Sequence, residues 1–64
     1  MPTAGVLTTY MYSDVRLRIY NQFGELLFED SNLHFTSETP GYNCEVVALD
    51  TKNYPYILEI EVEE

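Results

Sequence analysis

The 64-residue chain has no tryptophan, one cysteine, one histidine, three glycines and three Lys and Arg in all. Each shortage removes a class of chemistry. A lone Cys44 cannot close an internal disulfide, and it suits a reducing cytoplasm. Cys44 and His34 are together too few for a zinc site, which takes three or four convergent ligands. Three scattered glycines cannot form a phosphate-cradling loop. Three basic side chains cannot form the cationic patch that direct binding to nucleic acid requires. No run of about 18 apolar residues is present to cross a membrane. The opening Met1–Val6 also lacks the basic and apolar regions of a signal peptide.

What the chain does have is acid. Eleven Asp and Glu set the formal charge at -8, yet 45% of the residues are apolar, including six Tyr and three Phe. That apolar share fits a folded domain rather than a disordered acidic tail. Without repeats or linkers, residues 1–64 are expected to form a single β domain. A chain of this size buries only about 60% of its unfolded surface, so its margin of stability is a few kcal/mol or is shared with a partner.

Period-two alternation dominates the pattern. In Val15-Arg16-Leu17-Arg18-Ile19-Tyr20, the residues Val15, Leu17 and Ile19 face one way. Asn21-Gln22-Phe23-Gly24 follows as a turn, and Glu25–Glu29 returns as the partner strand. Keeping one face dry pairs Tyr20 with Glu25, Ile19 with Leu26, Leu17 with Phe28 and Arg16 with Glu29. A second hairpin joins Asn43–Leu49 to Tyr56–Glu64 through Asp50–Pro55. There, pairing Ala48 with Leu58, Val46 with Ile60 and Cys44 with Val62 puts Glu45 beside Glu61. Val6–Tyr12 reads as a first strand, Asn32–Phe35 as a short extension and Thr36–Tyr42 as a loop. The expected fold is all-β, a small antiparallel sheet of about five strands with room for one helical turn in residues 36–55. Its core should include Leu17, Ile19, Leu26, Phe28, Val46, Leu58 and Ile60. Leu27, Val47, Leu49 and Ile57 break the alternation, through curling of the sheet or a contact surface.

Enzymatic chemistry has little to work with. Cysteine–histidine catalysis needs an orienting third group and an oxyanion hole, usually on a larger scaffold. Cys44 reads instead as a small core hydrophobe and His34 as a packed or surface side chain. No calcium-loop pattern is present, and a domain this small leaves little room for a glycosidase cleft. No catalytic residue, metal or cofactor is expected.

The outstanding pattern is the ladder Glu59, Glu61, Glu63, ending at Glu64. Alternate strand residues lie about 6.8 Å apart, while each DNA strand carries a charge every ~3.4 Å. One ladder therefore supplies half the density of a phosphate track, and the Glu45–Glu61 neighbourhood, with Asp50 and Glu38 nearby in sequence, could supply a second row. Two readings stay open, a solubilising face that protects an edge strand and a fixed negative array that docks on a basic surface.

In its size, acidity, lone Cys44 and strand-borne carboxylates, the whole chain resembles the small acidic inhibitors of phages and mobile elements. These include anti-CRISPR, anti-restriction and uracil-DNA glycosylase inhibitor proteins, several of which are DNA mimics. The resemblance implies a non-enzymatic inhibitor, acting in the cytoplasm of a bacterial host in evasion of host defence. Its partner would be a basic nucleic-acid-binding protein or complex, with a CRISPR surveillance complex as the most concrete target. Glu59, Glu61, Glu63, Glu45 and Asp50 would carry the contact. A second, local resemblance rests on Val15–Phe28 and Tyr56–Ile60, which are similar to C-terminal sorting domains and small secreted β-sandwiches of Bacteroidetes. It implies a structural or adhesive module.

Overall fold

A computed structural model describes residues 2–64. The elements run α1 (Ala4–Thr9), β1 (Arg16–Tyr20), β2 (Leu26–Ser31), a short 3-10 helix (Asn32–His34), β3 (Glu45–Asp50) and β4 (Ile57–Glu63). The structure is mostly sheet, but the sheet has four strands in the order β2-β1-β4-β3. The two outer pairs are antiparallel hairpins, and the central pair β1–β4 is parallel, with Leu17 opposite Leu58 and Ile19 opposite Ile60. The expected five-stranded, wholly antiparallel sheet is therefore corrected. The two strands with the strictest alternation meet each other, because each offers a continuous apolar edge to the same side. Leu17, Ile19, Ile60 and Val62 are fully buried there, and Leu58 nearly so.

The missing fifth strand is α1. Val6–Tyr12 is rich in β-branched and aromatic residues, which favours a strand by propensity. Ala4, Leu7, Thr8 and Met11, however, recur at helical spacing, and all four turn toward the core. The Thr3 side chain accepts a hydrogen bond from the Val6 N–H as the N-cap. Past the far end, the Asn32 side-chain amide donates to the carbonyls of Thr8, Met11 and Tyr12. The segment before the helix keeps a trace of strand behaviour. The Val46 N–H donates to the Pro2 carbonyl, and Thr3 bridges Glu45, so the start of β3 has its outer edge covered.

One face of the sheet is covered by α1 and by residues 32–44. Val15 and Phe35 complete the buried cluster, with Phe28, Phe35 and Tyr42 stacked in series at centroid distances of 5.0 and 5.1 Å. Asn32–His34 forms the 3-10 helix rather than a strand extension, and residues 36–44 are turns. The short helical turn thus falls earlier than residues 36–55.

Both hairpin registers differ from the expected ones by way of a β-bulge. Between β1 and β2, Ile19 faces Phe28 and Tyr20 faces Leu26, so Leu27 is the extra residue. Leu27 and Phe28 both turn inward as a result, while Leu26 is 50% exposed rather than in the core. Arg16 lies opposite Ser31, and Arg18 takes the place opposite Glu29. Between β3 and β4, Val46 faces Val62 and Ala48 faces Glu61, which makes Val47 the extra residue. Cys44 precedes this strand and packs half-buried against the core instead of pairing with Val62. Glu45 lies opposite Glu63, not Glu61. Tyr56 falls outside β4 and is exposed.

The Asn21–Gly24 turn is as expected. Gly24 has φ +81°, and the Gly24 N–H donates to the Asn21 carbonyl. Asn21, 2% exposed, accepts from the N–H groups of Phe23 and Glu25 and donates to the carboxylates of Glu25 and Glu64.

Two stability measurements follow from this core. Ile60→Ala removes a fully buried side chain and should cost roughly 2–5 kcal/mol in urea unfolding. Gly5→Ala tests a sign. Replacing a helical glycine normally gains about 1 kcal/mol, but a Cβ at Gly5 would collide with the edge of the Tyr42 ring. Overpacking costs about 1–3 kcal/mol, so the melting temperature should fall. In a Tyr42→Ala background the same change should be neutral or stabilising.

Candidate functional site

The outer face of the sheet is left bare by α1 and by residues 32–44. Alternation from the buried Leu58, Ile60 and Val62 turns Glu59, Glu61 and Glu63 onto it. On β3, Glu45 lies opposite Glu63 and Asp50 opposite Glu59. The five carboxylates named from the sequence therefore lie on one face of two neighbouring strands. Glu45, Asp50, Glu61 and Glu63 are exposed, and Glu59 is half-buried. They surround Ala48, whose small side chain faces Glu61. A notch of about 230 Å³ opens there, lined by Tyr20, Ala48, Asp50, Glu59 and Glu61 among others.

The density of this array can be compared with DNA. From residue 59 to residue 63, β4 rises about 14 Å at ~3.4 Å per residue. Five carboxylates over that length make one charge per roughly 3 Å, close to the ~3.4 Å of a single phosphate strand. The second row supplied by Glu45 and Asp50 closes the gap left by the ladder alone.

Two arginines of β1, Arg16 and Arg18, alternate onto the same sheet face, opposite Ile57 and Glu59. Arg18 is the cross-strand neighbour of both Glu29 and Glu59. Its Nε donates to Glu29 Oε2 at 2.6 Å. That hydrogen bond, with the charge of Glu29, raises the Arg18 pKa further. Glu59 thus shares Arg18 with Glu29 on one side and faces Asp50 on the other. Glu45–Glu63 and Asp50–Glu59 are directly opposed like charges, each costing on the order of 0.2–1 kcal/mol. Glu64 stands apart from the array. Its carboxylate accepts from Asn21, and its N–H donates to Gln22 Oε1.

Cys44 and His34 have separate surroundings. His34 is exposed on the 3-10 helix, with Nδ1 3.1 Å from Asp30 Oδ2. Asp30 also accepts from the Ser31 N–H, and that bond, with His34, holds its carboxyl below the ordinary value of 3.8. Among the described residues, no three His, Cys, Asp or Glu side chains converge as a metal site, and no helix is long and apolar enough to cross a membrane.

A second concavity was not anticipated from the sequence. Because β1 and β4 are parallel, the loops entering them lie at the same end of the sheet. The Arg16 N–H donates to the Tyr56 carbonyl and ties the two together. Between them lies an open groove of about 700 Å³, lined by Tyr12, Asp14, Val15, Arg16, Tyr54, Pro55, Tyr56 and Ile57. The Tyr54–Pro55 bond is cis. Tyr54-Pro55-Tyr56 is legible as an aromatic cluster in sequence, but its partner Tyr12 is not, since an antiparallel reading keeps the two loops apart.

No protein-family model matches the chain, and no curated protein or solved structure matches it either.

Two measurements test the electrostatics. Glu63→Gln removes one of the opposed pairs, so stability should rise by a few tenths to ~1 kcal/mol. Added salt should raise the melting temperature of the wild-type protein more than that of the variant. Asp30 gives a pH signature of opposite origin. Its folded pKa is depressed, so its contribution is complete above the ordinary value of 3.8 and is lost as pH falls through the folded one. Asp30→Asn should flatten that part of the acid-unfolding curve and leave the curve above pH ~5 unchanged in shape.

Proposed function

We propose that the protein is a non-enzymatic inhibitor that docks its acidic β3–β4 face on a basic, nucleic-acid-binding surface and occludes it. A bacterial CRISPR surveillance complex is the most concrete target, and the proposed site of action is the host cytoplasm. The observation that carries this reading is the pair of directly opposed like charges, Glu45–Glu63 and Asp50–Glu59. A face built only for solubility intersperses the two signs, whereas β3 and β4 set like charges directly opposite each other. Here five carboxylates share one face of two strands, at close to the linear charge density of a nucleic-acid strand. A cationic partner surface would relieve their repulsion on binding.

The mechanism is steric and electrostatic. The net charge of -8 speeds encounter with a basic groove, and the fixed spacing along β3 and β4 selects orientation. The Ala48 notch can receive one Lys or Arg side chain, with Tyr20 beside it for cation–π contact. Because β3 and β4 are already paired, the ordering cost on binding falls on the side chains and not on the backbone. An adhesive β-sandwich has less support, since such a module packs two sheets face to face and this chain forms one.

The triple change Glu59→Gln, Glu61→Gln and Glu63→Gln keeps side-chain shape and removes three charges. Folding should survive, while the association rate with the target falls and the salt dependence of binding flattens. Excess nucleic acid should displace the wild-type protein from its target. Simultaneous binding of both with unchanged affinities sinks the occlusion mechanism. Cys44→Ala should retain full inhibition, because the thiol takes no part in the contact.

A further inference from the structure

We infer that the groove between the loops entering β1 and β4 binds a proline-containing peptide segment in extended, polyproline-like form, with a basic residue of the peptide against Asp14. The site goes beyond the acidic face and uses none of its five carboxylates.

The groove is walled by aromatic rings that the protein does not use for its own packing. Tyr12, Tyr54 and Tyr56 are 80%, 48% and 82% exposed. The ring pairs among the described residues are Phe28–Phe35 and Phe35–Tyr42, so the three tyrosines do not stack on one another. They line the concavity together with Val15, Pro55 and Ile57. Two charged groups face it, Asp14 and Arg16, and among the described residues neither side chain forms an ion pair.

This lining discriminates between occupants. An anionic ligand would meet Asp14 and the field of a chain of charge -8. A quaternary ammonium needs rings converging into a cage, whereas no two of these rings pair and the cationic Arg16 lines the same groove. A neutral oligosaccharide would leave the charge of Asp14 and the field of a chain of charge -8 unused. A polyproline-type segment fits each feature. Its rings present apolar ridges to aromatic platforms, and its carbonyls, free of internal hydrogen bonds, accept from donors such as the Arg16 guanidinium and the tyrosine hydroxyls. A basic residue beside the prolines then pairs with Asp14, and the net negative charge favours its approach.

The test uses the purified full chain on a peptide array with Pro-x-x-Pro fixed and the other positions random. A proline-free array and a panel of neutral oligosaccharides serve as comparisons. Retention on the proline array, with Arg or Lys enriched next to the prolines, is expected. For a selected peptide, Tyr56→Ala or Tyr12→Ala should weaken binding about tenfold in fluorescence anisotropy, as loss of an aromatic anchor does. Both rings are exposed, so the circular dichroism spectrum should stay that of the wild type. Asp14→Asn should remove the preference for the basic residue without weakening a neutral analogue. Glu59→Gln, Glu61→Gln and Glu63→Gln together should leave the affinity within about twofold at 0.15 M salt, where surface charges are well screened. The proposal is overturned by equal retention on the proline-free array, by binding indifferent to both tyrosine variants, or by retention on the oligosaccharides alone.

Discussion

The parallel contact between β1 and β4 is the constraint on which the rest of the molecule depends. It sets Leu17 and Ile19 beside Leu58 and Ile60, all of them buried, at the centre of a sheet with one covered face. Parallel neighbours cannot be joined by a tight turn. The chain must therefore travel through β2, the 3-10 helix, residues 35–44 and β3 between them. That long path becomes the lid of the core, with Phe35 and Tyr42 packed across it. The same pairing brings the loops before β1 and β4 to one end of the sheet, where the tyrosine groove opens. Core, lid and groove are thus consequences of a single strand choice.

The bare face follows from the same arrangement, but its energetics run the other way. Burying a Leu or Ile contributes about 1.5–3 kcal/mol, while each opposed carboxylate pair subtracts at most ~1 kcal/mol. With Leu17, Ile19, Leu58, Ile60 and Val62 on the inner side of two strands, the sheet tolerates repulsion on its outer side. Arg18 lies beside Glu59 but is held by Glu29 at 2.6 Å, and Arg16 lies opposite Ile57, past the end of the acidic rows. Negative charge consequently accumulates toward β3, away from the β1–β2 hairpin.

Much of this was legible in the residues. Alternation in Val15–Tyr20 and Tyr56–Glu64 identified both central strands, to within a residue at their ends, and the inward set Leu17, Ile19, Leu58 and Ile60. Asn21–Gly24 identified the turn, and the acidic ladder was visible as Glu59, Glu61 and Glu63. What alternation could not reveal was strand direction, because parallel and antiparallel neighbours bury the same residues. Short connections favour antiparallel order, and both hairpins obey that rule while the centre does not. The helix was lost to propensity, since Val6, Thr8, Thr9 and Tyr10 favour strands one by one. The spacing of Ala4, Leu7, Thr8 and Met11, with Thr3 as cap, was the signal that could have found it.

The four residues that broke the alternation, Leu27, Val47, Leu49 and Ile57, were the traces of the two bulges and the groove. Leu27 and Val47 are the extra residues themselves, and Ile57 lines the groove. On β3 the effect reaches the charged face. Strict alternation from the buried Val46 would turn Val47 and Leu49 outward, and Ala48 and Asp50 inward. Adding Val47 as an unpaired residue reverses that phase. Ala48 then faces Glu61, Asp50 faces Glu59, and Leu49 lies opposite Ile60, beyond the reach of the helix and half exposed. One extra residue thus brings Asp50 into the acidic array and opens the Ala48 notch between the carboxylates. Partial exposure of Leu49 is the local cost, and a sheet edge bears it more easily than a buried carboxylate at position 50, whose desolvation would be far larger.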